Sequence, residues 1–346
     1  MNFVSFFGKC FPKFCGDDST TTISWITGNY PLFEFPLYSL ALASKMVEVC
    51  EYEMVDLFHV HYAIPHSVSA YLAKQILQEN GLNKVKIITT LHGTDITLVG
   101  LEPSFLPLVK FSIEKSDGVT AVSNFLKEKT LTNYKINKEI EVIPNFVDTE
   151  VYKPKENCVF KSHFAPNGEK VLVHISNFRP VKRVPDVIKI FNHVRKKVPS
   201  KLILAGDGPD RSECEKLVRD LNLKNDVYFL GKQDAVVDIL NAGDLFIMPS
   251  QSESFGLSAL EAMACGLPTI TTSIGGLPEL VVHNETGYIA EIGDIERMAK
   301  YAIELLTNSN KYKKFSEKAR KRAVEYFNKE KIVKQYEDFY QRILNQ

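Results

Sequence analysis

Two α/β domains, each a doubly wound parallel sheet, are what this sequence predicts. Three observations carry that expectation. The chain has 346 residues, roughly twice the ~150 of a common domain. Short apolar runs alternate with helical patterns along most of it, which is how parallel strands with crossover helices read. The alternation also falls into two sets, with a break at residues 145–154.

In the first set the strand runs are 56–60, 85–91, 118–121 and 140–143, and helix-like stretches lie at 66–78, 105–114 and 124–131. In the second set the strand runs are 170–175, 201–205, 227–230, 245–248, 269–271 and 287–290. Helical patterns at 187–198, 212–221, 235–241 and 257–265 separate most of them. From residue 294 to the end every pattern is helical and rich in charge, with helices expected near 295–307, 311–326 and 330–344. Two outcomes are open for this tail: to close the second domain and then lie on the first, or to form a solvated face or an oligomer contact. The domain division is 1–150, joined by 328–346, and 151–327.

Composition narrows the function classes. The 45% hydrophobic and 24% charged residues supply two cores and argue against disorder. Lys plus Arg and Asp plus Glu are both 42, so the formal charge is zero and a phosphate-backbone binder is a poor candidate. No nucleic-acid partner is expected. No run approaches the ~18 apolar residues of a membrane span. Of the six cysteines only Cys10 and Cys15 are close, with no second pair or histidines at zinc-site spacing. Residues 1–15 lack the apolar core and cleavage site of a secretory leader. Reduced thiols and a cytoplasmic location are the expectation.

Ligands of open parallel sheets sit beyond the carboxyl ends of the strands, so the chemistry is expected on the loops there, where the two sets of strand ends face each other. Residues 249–266, PSQSESFGLSALEAMACG, follow the run 245–248. A helix starting near Leu257 would point the amides of Phe255, Gly256 and Leu257 at an anion. Gly256 would let a ligand approach the backbone. Glu261 can accept two hydrogen bonds from a diol, and Glu253 stands where hydroxyls beyond a phosphate would lie. The plainer reading makes Glu253 a helix cap and Glu261 a surface acid. Residues 176–186, SNFRPVKRVPD, bring Arg179, Lys182 and Arg183 to one strand end, where cations can hold a diphosphate and stabilise it as a leaving group. A solvated basic turn is the alternative. Gly206-Asp207-Gly208-Pro209 follows another strand as a tight turn, short of a full dinucleotide fingerprint.

In the first half, His92-Gly93-Thr94-Asp95 ends the run 85–91, and its residue types suit a sugar or acid site. His59, His61 and His66 cluster around Tyr62. His59 and His61 are expected on opposite strand faces, so a shared metal is not expected. No G-x-S-x-G elbow, P-loop lysine or H-E-x-x-H is present.

Taken in order, these pieces resemble the retaining glycosyltransferases of family 4. Glu253 to Glu261 is similar to that family's E-x7-E motif. Lys182, the 206–209 turn, Gly266-Leu267-Pro268, Gly275-Gly276 and NETG at 284–287 match it in sequence order. The likeness spans roughly residues 30–346. Within the family the chain is most similar to the group that joins the N-acetylglucosamine of UDP-GlcNAc to L-malate, the first step of bacillithiol biosynthesis. NYPLFEFP (29–36), HVHYAIPH (59–66), LHGTD (91–95), IPNFVD (143–148) and SNFRPVKR (176–183) carry that closer likeness.

The resemblance implies a GT-B fold of two facing doubly wound domains, retention of the α configuration, and neither metal nor cofactor. It implies that Lys182 and Arg179 hold the diphosphate with the amides of Phe255, Gly256 and Leu257, beside the Gly206 turn. Glu261 is expected on the ribose, Glu253 on the sugar hydroxyls, and Gly231 and Lys232 on the uracil. His92 is expected to contact the sugar, and Tyr62 and Thr94 the malate. Front-face attack with the leaving β-phosphate as base is implied, and a homo-oligomer is a family-level expectation. Asn177 stands where the family usually has an arginine, and Arg179 two places on is the candidate to serve instead.

The start departs from the pattern. The family opens with a strand and a Gly-rich loop, whereas residues 1–28, MNFVSFFGKCFPKFCGDDSTTTISWITG, contain no glycine pair. The first domain is therefore expected to lack its opening strand and that loop. Phe3, Val4, Phe6 and Phe7 have two outcomes, to cover the exposed sheet edge or to promote aggregation. The alternatives to the malate transferase are a nucleotide-sugar-binding remnant and a family 4 enzyme with another acceptor.

Overall fold

Eleven parallel strands in two sheets organise the described residues, which in the computed structural model are 3–6, 37–82, 84–155 and 159–346. The described residues fall into two compact units, Met1–Ile143 with Lys334–Gln346, and Pro144–Val333.

The first unit holds β1 (Phe3–Phe6), β2 (Leu57–His61), β3 (Lys86–Leu91), β4 (Gly118–Ala121) and β5 (Glu141–Val142), side by side in chain order. All of β2 and β4 is buried, as expected for strands covered on both faces. β1 corrects the expectation of a missing opening strand: Phe3 to Phe6 pair with Leu57 to Val60 at the sheet edge. A short apolar run suffices there because an edge strand needs a pairing partner on one side only. The Gly-rich loop expectation falls on residues outside those described. A helix the sequence reading missed, Tyr38–Glu53, buries Leu42, Ala43, Met46 and Cys50.

The last helix, Lys329–Leu344, belongs to the first unit from Lys334 onward. Phe339, Tyr340 and Ile343 are buried there. Gly118 admits the helix: a Cβ at that position would lie 2.8 Å from the Phe339 ring and 3.0 Å from Ile343.

In the second unit, β6 (Lys170–Ile175), β7 (Ser200–Ala205), β8 (Val227–Gly231), β9 (Leu245–Met248), β10 (Thr269–Thr272) and β11 (Gly287–Ala290) stand in the order β11-β10-β9-β6-β7-β8. Strand order reverses between β6 and β9, which sets the loops leaving those two strands side by side. Covering helices follow the 3.6-residue period. Val184–Arg195 buries Val187, Ile188, Ile190, Phe191 and Val194. Ile295–Thr307 starts at Asp294, whose carboxylate accepts the Arg297 amide at 3.1 Å. Segment 144–155 belongs to this unit because the Val147 amide donates to the Phe327 carbonyl at 2.9 Å.

Two arginines of the helix Ser309–Tyr326 finish neighbouring helices. Arg320 donates to the carbonyls of Ala264, Tyr152 and Thr149 at 2.8, 2.6 and 2.9 Å. Arg322 donates to Leu280 and Glu279, both at 2.7 Å. The Ala264, Glu279 and Leu280 carbonyls are ones a helix end leaves without an internal partner, whereas Thr149 and Tyr152 lie in a turn segment. Among the described residues no helix is long and apolar enough to cross a membrane.

Candidate active site

The reversal between β6 and β9 brings two distant loops together. Lys182, on the loop after β6, donates to Glu253 Oε1, on the loop after β9, at 2.6 Å. The Ser250 hydroxyl donates to the same oxygen at 3.0 Å. The Gln251 amide donates to the Val181 carbonyl at 2.9 Å, stitching the loops a second time. Glu253 is thus the partner of a lysine and not a helix cap. Arg183 leaves the predicted cationic trio: its Nε donates to Asp186 at 2.6 Å, at the start of its own helix. Arg179 is exposed.

The helix Leu257–Ala264 opens at Gly256, whose φ is +98°. Phe255 is buried against Phe327, while Leu257 is exposed. The amides of Phe255, Gly256 and Leu257 donate to no carbonyl among the described residues. They stand at the helix start where the sequence reading expects an anion. Gly256 has a packing reason as well: a Cβ there would lie 2.6 Å from Leu277.

Glu261 is half-buried and hydrogen-bonded to Tyr152, a residue the sequence reading passed over. Burial pushes its carboxyl up to about 7, against the pull of the tyrosine. That overturns the surface-acid alternative.

Glycines let the strand-end loops touch. A Cβ on Gly206 would fall 1.7 Å from the Ser176 carbonyl oxygen, and one on Gly275 would fall 1.7 Å from that of Glu253. Both have positive φ. Gly275→Ala is therefore expected to displace the Glu253 loop and cost about 3 kcal/mol. Gly168→Ala, at φ +78° with nothing within 4 Å of its Cβ, should cost about 1 kcal/mol. Equal losses in thermal unfolding would refute the steric account.

A cavity of about 220 Å³ follows the ends of β6 and β7, lined by Ser176, Asn177, Gly206, Asp207, Lys232 and Gln233 among others. It brings together Gly206 and Lys232, and Gly231 precedes Lys232 at the end of β8, its carbonyl accepting the Gly206 amide at 2.7 Å.

The predicted acceptor residues gather in the first unit. Tyr62 and Thr94 line a largely apolar cavity of about 570 Å³ with Asp95, Ile64, Phe105 and Leu108. His92 stands beside Tyr62, ring centroids 5.0 Å apart, and its Nε2 lies 2.7 Å from His61 Nδ1. Burial lowers His92 to about 4, so it is neutral at pH 7. Asp95 holds the two loops: its carboxylate accepts the Ala63 amide at 2.7 Å and the Gly93 amide at 2.9 Å. Burial raises Asp95 to about 6 even so.

The expectation of opposite faces for His59 and His61 is wrong. Residues two apart in a strand share a face, and the two rings lie 4.4 Å apart. His59 is bonded on both nitrogens, to Tyr340 at 2.6 Å and Thr90 at 2.7 Å. His66 Nδ1 donates to the His61 carbonyl at 2.6 Å.

Comparison with known proteins agrees with this layout. The model for Glycosyltransferase Family 4 matches residues 15–151, and that for Glycosyl transferases group 1 matches residues 156–322. The chain is similar to N-acetyl-alpha-D-glucosaminyl L-malate synthase of Bacillus anthracis, 48% identical over 91% of this chain and 82% of that protein. It is also similar to the glycosyltransferase YqgM of Bacillus subtilis, 28% identical over 84% of this chain and 79% of that one. Among solved structures, Anabaena HepE in complex with UDP and glucose aligns with a TM-score of 0.77 at 22% identity, covering 86% of this chain and 80% of that one. Sucrose-phosphate synthase of Thermosynechococcus elongatus aligns at 0.76 and 22%, covering 91% and 82%. The fold is GT-B, and with a relative 48% identical over 91% of this chain the chain belongs to the family 4 glycosyltransferases.

Proposed function

We propose that this glycosyltransferase moves N-acetylglucosamine from UDP-GlcNAc to the hydroxyl of L-malate with retention, the opening step of bacillithiol biosynthesis. The observation that carries the reading is the 48% identity to the Bacillus anthracis L-malate synthase. The local chemistry is compatible with it. Lys182, with Arg179 nearby in sequence, supplies positive charge for a diphosphate, and the amides of Phe255, Gly256 and Leu257 add donors. The cavity at Gly206 and Lys232 is assigned to the uridine end, with Gly231 beside it. Glu261 is assigned to the ribose diol, Glu253 to the sugar hydroxyls, and His92 to the sugar. Tyr62 and Thr94 are assigned to malate.

In the proposed step the malate hydroxyl oxygen bonds to the anomeric carbon as that carbon's bond to the β-phosphate oxygen breaks. The hydroxyl proton passes to the departing phosphate on the same face. The chain's own cations and amides stabilise the charge, and no metal or cofactor is assigned. A cytoplasmic setting fits Cys50, Cys214 and Cys265, which are buried free thiols.

Incubating the purified protein with UDP-GlcNAc and L-malate, and detecting the glycosylated malate by mass, tests the reading. UDP binding without product would leave a nucleotide-sugar-binding remnant or a different acceptor. Neither binding nor product from folded protein would end the proposal.

The Glu261 assignment has a pH signature. A diol donates its hydrogens, so it prefers the carboxylate, and the free protein must lose the Glu261 proton to bind. With that group at about 7, UDP affinity should fall about tenfold as pH drops from 8 to 6. Titration calorimetry on Glu261→Gln should give weaker binding and a smaller pH step than wild type. A step of unchanged size in the variant would reassign the titration.

A further inference from the structure

The polarity of one hydroxyl in the 220 Å³ cavity is set by a buried histidine beneath it. His174, one residue before the carboxyl end of β6, is fully buried. Its Nδ1 lies 2.8 Å from the Ile247 carbonyl oxygen, and its Nε2 lies 2.8 Å from Ser176 Oγ. A carbonyl oxygen can only accept, so Nδ1 carries the hydrogen. Burial also drives His174 down to about 4, so at neutral pH the ring has a single N–H. Nε2 is then an acceptor, and the Ser176 hydroxyl must donate to it. The hydrogen of Ser176 is committed, and only lone pairs of its oxygen are left for a ligand.

The serine is fixed where a ligand could use them. Its amide donates to the Ala205 carbonyl at 3.1 Å, and Gly206 presses on its own carbonyl. Ser176 lines the cavity with Gly206 and Lys232. An oxygen offering only lone pairs repels a phosphate oxygen and rewards an N–H or O–H.

We propose that Ser176, with its hydrogen committed to His174, is a specificity-determining acceptor that reads the ring N–H of uracil in this cavity. The inference rests on the proposed assignment of the cavity to uridine. In a nucleoside, uracil has one ring donor, N3–H, between two carbonyl acceptors. Cytosine presents a bare acceptor at N3, and lone pairs then face lone pairs. The site therefore prefers uridine to cytidine nucleotides through a side chain, with His174 as the positioning residue that orients it.

The test is calorimetric binding of UDP and CDP to the wild-type protein, Ser176→Ala and Ser176→Thr, each checked for an unchanged unfolding midpoint. Wild type should bind UDP at least tenfold more tightly than CDP. Ser176→Ala should lose about tenfold for UDP and little for CDP, so the ratio narrows, and Ser176→Thr should restore it. Equal changes for both nucleotides, or an unaltered ratio, would overturn the role of Ser176 while leaving UDP binding in place. Absence of UDP binding to folded wild type would instead overturn the uridine assignment itself, and this inference with it. A ratio that narrows in the alanine variant and returns with threonine is not expected of a structural defect, which would weaken both ligands together.

Discussion

Replacing Lys182 with alanine lowers kcat/KM for UDP-GlcNAc about 10²–10³-fold, the range for removing one preorganised donor from a developing charge. The loss has two parts. The cation assigned to the diphosphate disappears, and the Glu253 side chain is left with Ser250 as its remaining described partner. With its side chain only 10% exposed, that carboxylate is poorly screened by water. The two parts separate in a double-variant cycle. Lys182→Ala with Glu253→Gln should recover much of any lost folding stability, because no charge is stranded, yet remain catalytically poor. Steady-state kinetics and thermal unfolding on the four proteins decide it. A loss of activity under threefold in Lys182→Ala would remove the lysine from the proposed mechanism.

Arg320→Met should be the most damaging change outside the donor machinery. Its guanidinium holds three carbonyls, at Thr149, Tyr152 and Ala264. Those carbonyls lie on the segment that carries Tyr152 and at the end of the helix that carries Glu261. Charge-assisted hydrogen bonds contribute about 1.5–3 kcal/mol each. They are not additive, and the side chain is only half-buried, so about 3–5 kcal/mol is expected in total. In a unit of this size that is roughly 6–20 °C in unfolding midpoint. Arg320→Lys should recover only part of it, since an ammonium cannot span three carbonyls in a fork. A midpoint within 2 °C of wild type for Arg320→Met would mean that water replaces the guanidinium without cost.

Much of this architecture was legible in the sequence because buried parallel strands are apolar throughout. β4, β6, β9 and β11 fall where the apolar runs placed them. The helix Tyr38–Glu53 did not announce itself, because exposed Leu40 and Tyr52 interrupt the stripe of Leu42, Met46 and Cys50. The two acids of the E-x7-E segment and Lys182 were each visible as candidates. Their pairing was not, since Lys182 and Glu253 meet only through a strand order that sets β9 beside β6. Tyr152, His174 and Arg320 carried no signal at all. Each acts through one tertiary contact, and an isolated tyrosine, histidine or arginine looks the same wherever it falls. The opposite error arose at His59 and His61, where a misapplied strand period separated side chains whose rings lie 4.4 Å apart.

The return of the final helix to the first unit has a consequence for biosynthesis. A chain emerging from the ribosome amino end first completes β2, β3 and β4 early. It cannot cover the surface at Gly118 and His59 until Phe339, Tyr340 and Ile343 are made. Nascent domains usually finish in the order of synthesis. Here the unit begun first is the unit finished last, and its exposed interval lasts as long as translation of the whole second unit.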